Sequence, residues 1–203
     1  MLGAGPAGSA CSLALVRAGV RDVYVAEGRQ GRAQGSFAVG ETIPPDTRLL
    51  MDQLGIWQAF LAEGHERCLG SCSAWGGGEL GYNDFLLNPQ GYGWHLDRRQ
   101  FDAFLRAQAK SAGVLFNDVT VTPENASFVV DATGRASAYA QRCGARKRLQ
   151  DKLTFVYGFF ETAHAVSKSK LTMLEAVRDG WWYAAELPGE RIAVAFASDA
   201  EHL

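Results

Sequence analysis

The chain has 203 residues, 47% hydrophobic and 21% charged, a composition that excludes a disordered or fibrous protein. Its 20 basic and 22 acidic residues give a formal net charge of −2, and no Lys/Arg block is long enough to track a phosphate backbone, which argues against a nucleic-acid partner. Cys11, Cys68, Cys72 and Cys143 match neither zinc-ligand nor disulfide spacings, no apolar run reaches the roughly 18 residues of a membrane span, and no basic region precedes the first apolar stretch. The expectation is a cytoplasmic α/β protein with reduced thiols and no metal site.

The chain opens MLGAGPAGSACSLALVRAGVRDVYVAE. Residues 8–18 carry Ala10, Leu13 and Ala14 at helical spacing, and Gly19 is placed to end that helix in a left-handed turn. In DVYVAE, Val23 and Val25 alternate about Tyr24 and the run closes on Glu27, the pattern of a buried parallel strand ending in an acid. Glycine loop, helix, strand and acid form the second half of a βαβ dinucleotide unit, with Glu27 19 residues after Gly8. Gly3 permits a tight turn, Gly5 lets the backbone approach a pyrophosphate, and Gly8 lets helix and strand pack closely. The N–H groups at the helix start face the phosphates. Glu27 would accept from a ribose 2′-hydroxyl and repel a 2′-phosphate. Glycine triplets also arise by chance in a chain with 23 glycines, and the helix, strand and acid in register outweigh that. Pro6 and Ala7 complete GAGPAGS, which resembles the FAD-binding loop of flavoprotein monooxygenases more than the loop of NAD dehydrogenases.

The stretch GETIPPD, 40–46, reads from chemistry alone as a turn entering a helix, with Pro44 and Pro45 at its start and Leu49, Leu50, Gln53 and Leu54 before a stop at Gly55. It also resembles the GE(S/T)xxP segment that lies beside the flavin in flavin-dependent halogenases, which would place Glu41 and Thr42 near the cofactor. In 91–113, Asp97 is a candidate N-cap with Gln100 three residues on, and Phe101, Phe104, Leu105 and Ala112 share a face before Gly113. Most of that helix reads as structural, with Arg98, Arg99 and Arg106 on a solvated face. GWHLDRxxFD nevertheless resembles the same flavoproteins, where Arg98 would be the residue nearest the flavin. His95 reads as a hydrogen-bonded structural histidine, since nothing nearby forms a base–nucleophile pair.

FVVDATGRAS, 128–137, predicts an apolar strand ending in Asp131 and a turn through Gly134, at the carboxyl edge of a parallel sheet where doubly wound folds bind ligands. It resembles the second dinucleotide fingerprint of FAD-dependent monooxygenases and halogenases. Residues 175–199 alternate about an LPGER turn and predict a β-hairpin. Trp181, Trp182 and Tyr183 are by default sheet core. By resemblance, DGWWYxAxLP matches the aromatic stretch between flavin and substrate, with Tyr183 where tryptophan halogenases carry a second Trp.

In their order these stretches make the chain similar to FAD-dependent oxidoreductases of the halogenase and aromatic-monooxygenase type, and within that group to the halogenase-like flavoproteins that help mature quinone-cofactor enzymes. The resemblance implies a Rossmann-like FAD-binding domain over 1–150 and a partial β-rich substrate-binding segment over 151–203. It implies oxidation of an aromatic or other organic substrate by reduced flavin and O₂, with electrons from NAD(P)H or a flavin reductase. No acid or base for the chemical step is identified.

Four departures stand out. The first strand is absent or two residues long, so its neighbours' edges are expected to be unpaired. Little room lies between Val114 and Val130, and the chain reaches Leu203 without the Gly-Asp segment of the family. No lysine precedes Lys110, so the halogenases' catalytic lysine has no counterpart and halogenation is the least supported chemistry. The alternatives are a shortened, catalytically silent binding or assembly module, and an NAD-binding dehydrogenase-type domain.

Overall fold

The structure is a computed structural model that describes residues 1–26, 42–117, 125–161 and 169–203. Glu27 and Glu41 lie outside the described residues. The elements are α1 (Pro6–Arg17), β1 (Tyr24–Ala26), β2 (Thr42–Ile43), α2 (Thr47–Gln53), α3 (Trp57–Leu61), β3 (Glu66–Cys68), β4 (Gly70–Ala74), β5 (Gly81–Asp84), β6 (Gly93–His95), α4 (Arg98–Ser111), β7 (Leu115–Asn117), α5 (Ala138–Arg142), β8 (Thr154–Glu161), β9 (Leu171–Val177), β10 (Gly180–Leu187) and β11 (Arg191–Ser198). They fall into two compact units, one drawn from 1–26, 54–56, 99–117 and 125–148, the other from 42–53, 57–98, 149–161 and 169–203. The units interleave in sequence rather than following one another across residue 150.

In the first unit, α1 starts two residues earlier than its sequence pattern because Pro6 takes the first helical position, where a missing N–H costs nothing. It ends as predicted. Gly19 adopts φ +85°, and the N–H groups of Gly19 and Val20 return to the Val16 and Leu15 carbonyls at 3.0 Å. β1 and β7 pair in parallel, with Val25 fully buried.

The central position between β1 and the 130–132 segment is held by the first residues of the chain. Leu2 bridges Ala26 on one side and Asp131 on the other, both in parallel. Leu2 N–H donates to Val130 and Gly3 N–H to Ala26, each at 2.9 Å. Ala26 N–H donates to Met1 at 2.9 Å and Ala132 N–H to Leu2 at 2.8 Å. Two or three residues thus occupy the central position and satisfy the inner edges of both neighbours, which corrects the expectation of unpaired edges. The predicted strand over 128–131 is only this bridge, and Phe128 is 83% exposed, so its apolar run is not core.

α4 buries Phe101, Phe104, Leu105 and Ala109, while Ala112 is half-buried. Gly113 at φ +97° closes the helix, as its position predicted.

The second unit holds an antiparallel three-stranded sheet, β2–β6–β3, and a six-stranded sheet in the order β5–β4–β9–β10–β11–β8, antiparallel except for the parallel β4–β9 pair. Trp57 and Phe60 of α3 meet Trp94 of β6 edge-on, with ring centroids 6.1 and 5.3 Å apart. α2 buries Met51, whereas Leu49 and Leu50 are exposed.

The predicted hairpin over 175–199 is part of a longer meander. A turn at 178–179 joins β9 to β10, and the 188–190 turn joins β10 to β11. Side chains alternate across it. Thr172, Ala185, Leu187, Ala193, Ala195 and Ala197 share a buried face, while Val156, Phe160, Met173 and Trp182 share the opposite, exposed one. Among the described residues no helix is long and apolar enough to cross a membrane.

Candidate functional site

The glycine loop is shaped by contacts that tolerate no side chain at two of its three glycines. Gly3 sits at φ +105°, and a Cβ there would overlap the Ala132 carbonyl oxygen; a Cβ on Gly8 would overlap the Gly3 carbonyl oxygen. Gly3 therefore seats the loop against the 131–134 turn, and Gly8 seats the helix on the loop. A Cβ on Gly5 would meet nothing within 4 Å. Gly5 is also the N-cap of α1, with no side-chain cap and no acidic residue in the first turn. Free N–H groups, the positive end of a 12-residue helix and open space at Gly5 come together at one point, which suits a phosphate. Pro6 is half-buried there, Ala7 is exposed, and Ser9 and Ser12 are fully buried beneath them.

Asp131 stands at the start of the neighbouring turn and organises it. Its Oδ1 accepts from the Thr133 N–H at 3.0 Å and the Thr133 hydroxyl at 2.5 Å, and its Oδ2 accepts from the Ala140 N–H at 2.8 Å. The Thr133 hydroxyl first, helped by the main-chain N–H groups of Ala140, Thr133 and Tyr139, holds its carboxyl below the usual aspartate value against the opposing effect of burial. Gly134 follows at φ +62°, and Ser137 takes the left-handed region before α5. The sequence singled out Asp131 as a ligand-edge carboxylate; its oxygens serve the turn beside the glycine loop.

In the second unit, Thr42 and Tyr183 meet although 141 positions separate them, with Thr42 Oγ1 3.0 Å from Tyr183 Oη. Thr42 Oγ1 also lies 3.3 Å from Thr172 Oγ1, which in turn lies 3.2 Å from His95 Nε2 and 3.7 Å from Cys68 Sγ. Sequence reasoning named Thr42 and Tyr183 but missed Thr172 and Cys68. The signal was the β9 alternation, which points Thr172 inward.

His95 is fully buried, and its pKa is pushed down to about 4, by burial first and by the Lys170 charge second, against the opposing effects of Glu66 and the Glu186 carbonyl. Lys170 Nζ donates to Glu66 at 2.5 Å. The structural reading of His95 agrees with this surrounding.

Trp181, Trp182 and Tyr183 do not form one cluster, because consecutive strand residues face opposite sides. Trp181 meets Phe155 edge-on at 5.5 Å and lies 6.3 Å from Trp75, on the face that carries Tyr183. Trp182 lies on the other face, 4.6 Å from Phe196. Arg98 is the first residue of α4, and the carboxylate of Asp97 before it accepts from Arg191 at 2.7 Å.

Comparison with known proteins gives this geometry a family. Residues 1–155 match the FAD binding domain family, a stretch that contains the glycine loop, α1 and the Asp131 turn. The chain belongs to the FAD-binding domain family. A flavin-dependent halogenase of Penicillium aethiopicum is 31% identical over 126 residues, covering 61% of this FAD-binding chain and 23% of the relative. The putative FAD-dependent oxidoreductase LodB of Marinomonas mediterranea is 24% identical, covering 99% of this chain and 60% of that protein. Among solved structures, the myxobacterial chondrochloren halogenase CndH superposes with a TM-score of 0.83 at 22% identity, over 99% of this chain and 52% of that one. The flavin-dependent halogenase CmlS gives 0.82 at 21%, over 98% and 41%. The matched stretches thus cover 23% and 60% of these curated relatives, and the structural likeness shows that the fold is that of flavin halogenases and monooxygenases.

Proposed function

We propose that this FAD-binding chain is the cofactor-side part of a cytoplasmic, monooxygenase-like oxidoreductase that oxidises an aromatic or other organic small molecule. The observation that carries the reading is the α1 entry, where Gly5 faces open space, no first-turn acid opposes an anion, and Gly3 locks the loop onto the Asp131 turn. Gly3, Gly5, Pro6, Ala7 and Gly8 would hold the FAD pyrophosphate, Glu27 the adenosine ribose, and Gly134 the far side of the dinucleotide, with Asp131 shaping that turn. Glu41, Thr42 and Arg98 are assigned to the flavin side by their motifs. Trp181 and Tyr183 would line the substrate pocket; Trp182, on the opposite strand face, fits that role less well than the sequence suggested.

Bound FAD supplies the redox chemistry with O₂, and the chain's own residues bind, orient and desolvate it. NAD(P)H, directly or through a flavin reductase, is the proposed electron source. Without a lysine before Lys110 the reading stops short of halogenation. Residues 1–150 would serve the cofactor and 151–203 the substrate.

The test is to load the protein with FAD, reduce it anaerobically, admit O₂ with a panel of phenols, anilines and indoles, and seek products heavier by one oxygen atom. Such a product is the expected result. Flavin retained with no product from any of the panel would favour the silent binding or assembly module instead.

A further inference from the structure

We propose that a cationic strip running from Arg135 to Arg148 steers incoming FAD, a dianion through its pyrophosphate, to the glycine loop. The strip speeds the cofactor's arrival rather than holding it once bound. The inference rests on the flavin reading above and gives a role to residues that reading leaves unused.

Residues 132–150 contain Arg135, Arg142, Arg146, Lys147 and Arg148 and neither Asp nor Glu. This segment therefore carries +5 in a chain of net charge −2, which leaves −7 on the remainder. A remainder so charged repels a dianion at long range, and the strip reverses that sign in one place. All five residues are exposed. Among the described residues none of the five enters an ion pair, so no carboxylate there is drawn onto them. The two acids that bound the segment, Asp131 and Asp151, are turned instead to main-chain N–H groups, of Thr133 and Ala140 and of Leu153.

Local structure brings the strip back to the cofactor loop. Gly3 packs against the Ala132 carbonyl, and the Ala138 and Ala140 N–H groups donate to Thr133 Oγ1 and Asp131 Oδ2, each at 2.8 Å, fastening α5 to the same turn. Arg142 is the last residue of α5. Gly144 then takes φ +92°, and the Ala145 N–H returns to the Ala140 carbonyl at 2.9 Å, which reverses the chain. Arg146, Lys147 and Arg148 follow that reversal, and Lys147 Nζ donates to the carbonyl of Arg135, the residue after Gly134. Glycine loop, turn and strip all belong to the first unit. Exposed charges are screened over about 10 Å at 0.1 M salt, so they act on the encounter more than on the bound ligand.

The experiment follows FAD uptake by the full 203-residue chain in stopped flow, by flavin fluorescence, and FAD release after dilution, both across a salt series. The variant R142Q/R146Q/R148Q removes charge from the strip and leaves Lys147 on its carbonyl. At low ionic strength its association rate constant is expected to fall on the order of tenfold while release is unchanged. The gap should close toward about 1 M salt, where screening acts within about 3 Å. R142K/R146K/R148K keeps the charge and should bind as fast as wild type. Equal association rates for wild type and the glutamine variant overturn the proposal, as does faster release alone or an equal slowing in the lysine variant. The wild-type rate must itself fall with rising salt, and a salt-independent rate overturns the proposal without any variant. A wild type that takes up no FAD removes the flavin reading together with this one, whereas FAD taken up at an unaltered rate by the glutamine variant removes only the steering.

Discussion

Gly5 and Gly8 look alike in the sequence and differ in what surrounds them. Gly8→Ala would force a Cβ into the Gly3 carbonyl oxygen, and overpacking of that kind costs about 1–3 kcal/mol, read as a lowered Tm. Gly5→Ala enters open space at an ordinary extended φ of −71°, so stability is expected to stay within about 0.5 kcal/mol while FAD affinity, measured by flavin fluorescence, falls. A G5A variant that binds FAD as wild type does would remove Gly5 from the proposed pyrophosphate site.

His95 predicts a pH dependence. Its folded-state pKa of about 4 lies below the ordinary 6.5, so the unfolded chain binds the extra proton between those values. Stability is therefore full above pH 6.5 and declines as pH falls toward 4, by on the order of 3 kcal/mol. H95Q should flatten that part of the profile of unfolding free energy against pH; an unchanged slope would mean another group carries it. Asp131 acts in a different window. Its folded pKa is depressed, so its contribution is complete above the usual aspartate value and is lost as pH falls through the lower, folded one. The three glycines were legible in sequence because loop, helix and strand stood in register. The His95–Thr172 bond was not, since it joins residues 77 positions apart through a sheet pairing that no local pattern encodes.

At the scale of elements, α1, β1, α4 and β10–β11 were legible because period and punctuation agreed: Gly19 and Gly113 close their helices, and the LPGER turn closes its hairpin. The 128–131 stretch misled because FVVD is apolar by composition, yet only Asp131 bridges, to Leu2, and Phe128 stays exposed. The sheet of the second unit depends on the parallel β4–β9 pairing across about a hundred residues, which alternation alone cannot assign. Among the described residues β8 ends that sheet, with Phe155, Val156 and Phe160 at 47%, 56% and 57% exposure. Long apolar edges of this kind invite strand pairing between chains. Phe160→Lys is expected to reduce self-association in size-exclusion chromatography with light scattering. Association that persists undiminished would place the contact elsewhere.

For the whole molecule, composition excluded more than it identified, and the family became legible only through the order of several weak motifs. GAGPAGS, GETIPPD, GWHLDR, DATGR and DGWWY run in one sequence, and the FAD-binding match spans the first 155 residues. The central claim is that the glycine loop forms a cofactor site, because Leu2 satisfies both neighbouring edges and Gly3 locks the loop to the Asp131 turn. The direct test is the visible absorption spectrum of the purified protein before and after incubation with FAD and desalting. The account predicts flavin bands that survive desalting and are lost in Gly8→Ala. A folded wild-type protein that retains no flavin would contradict it.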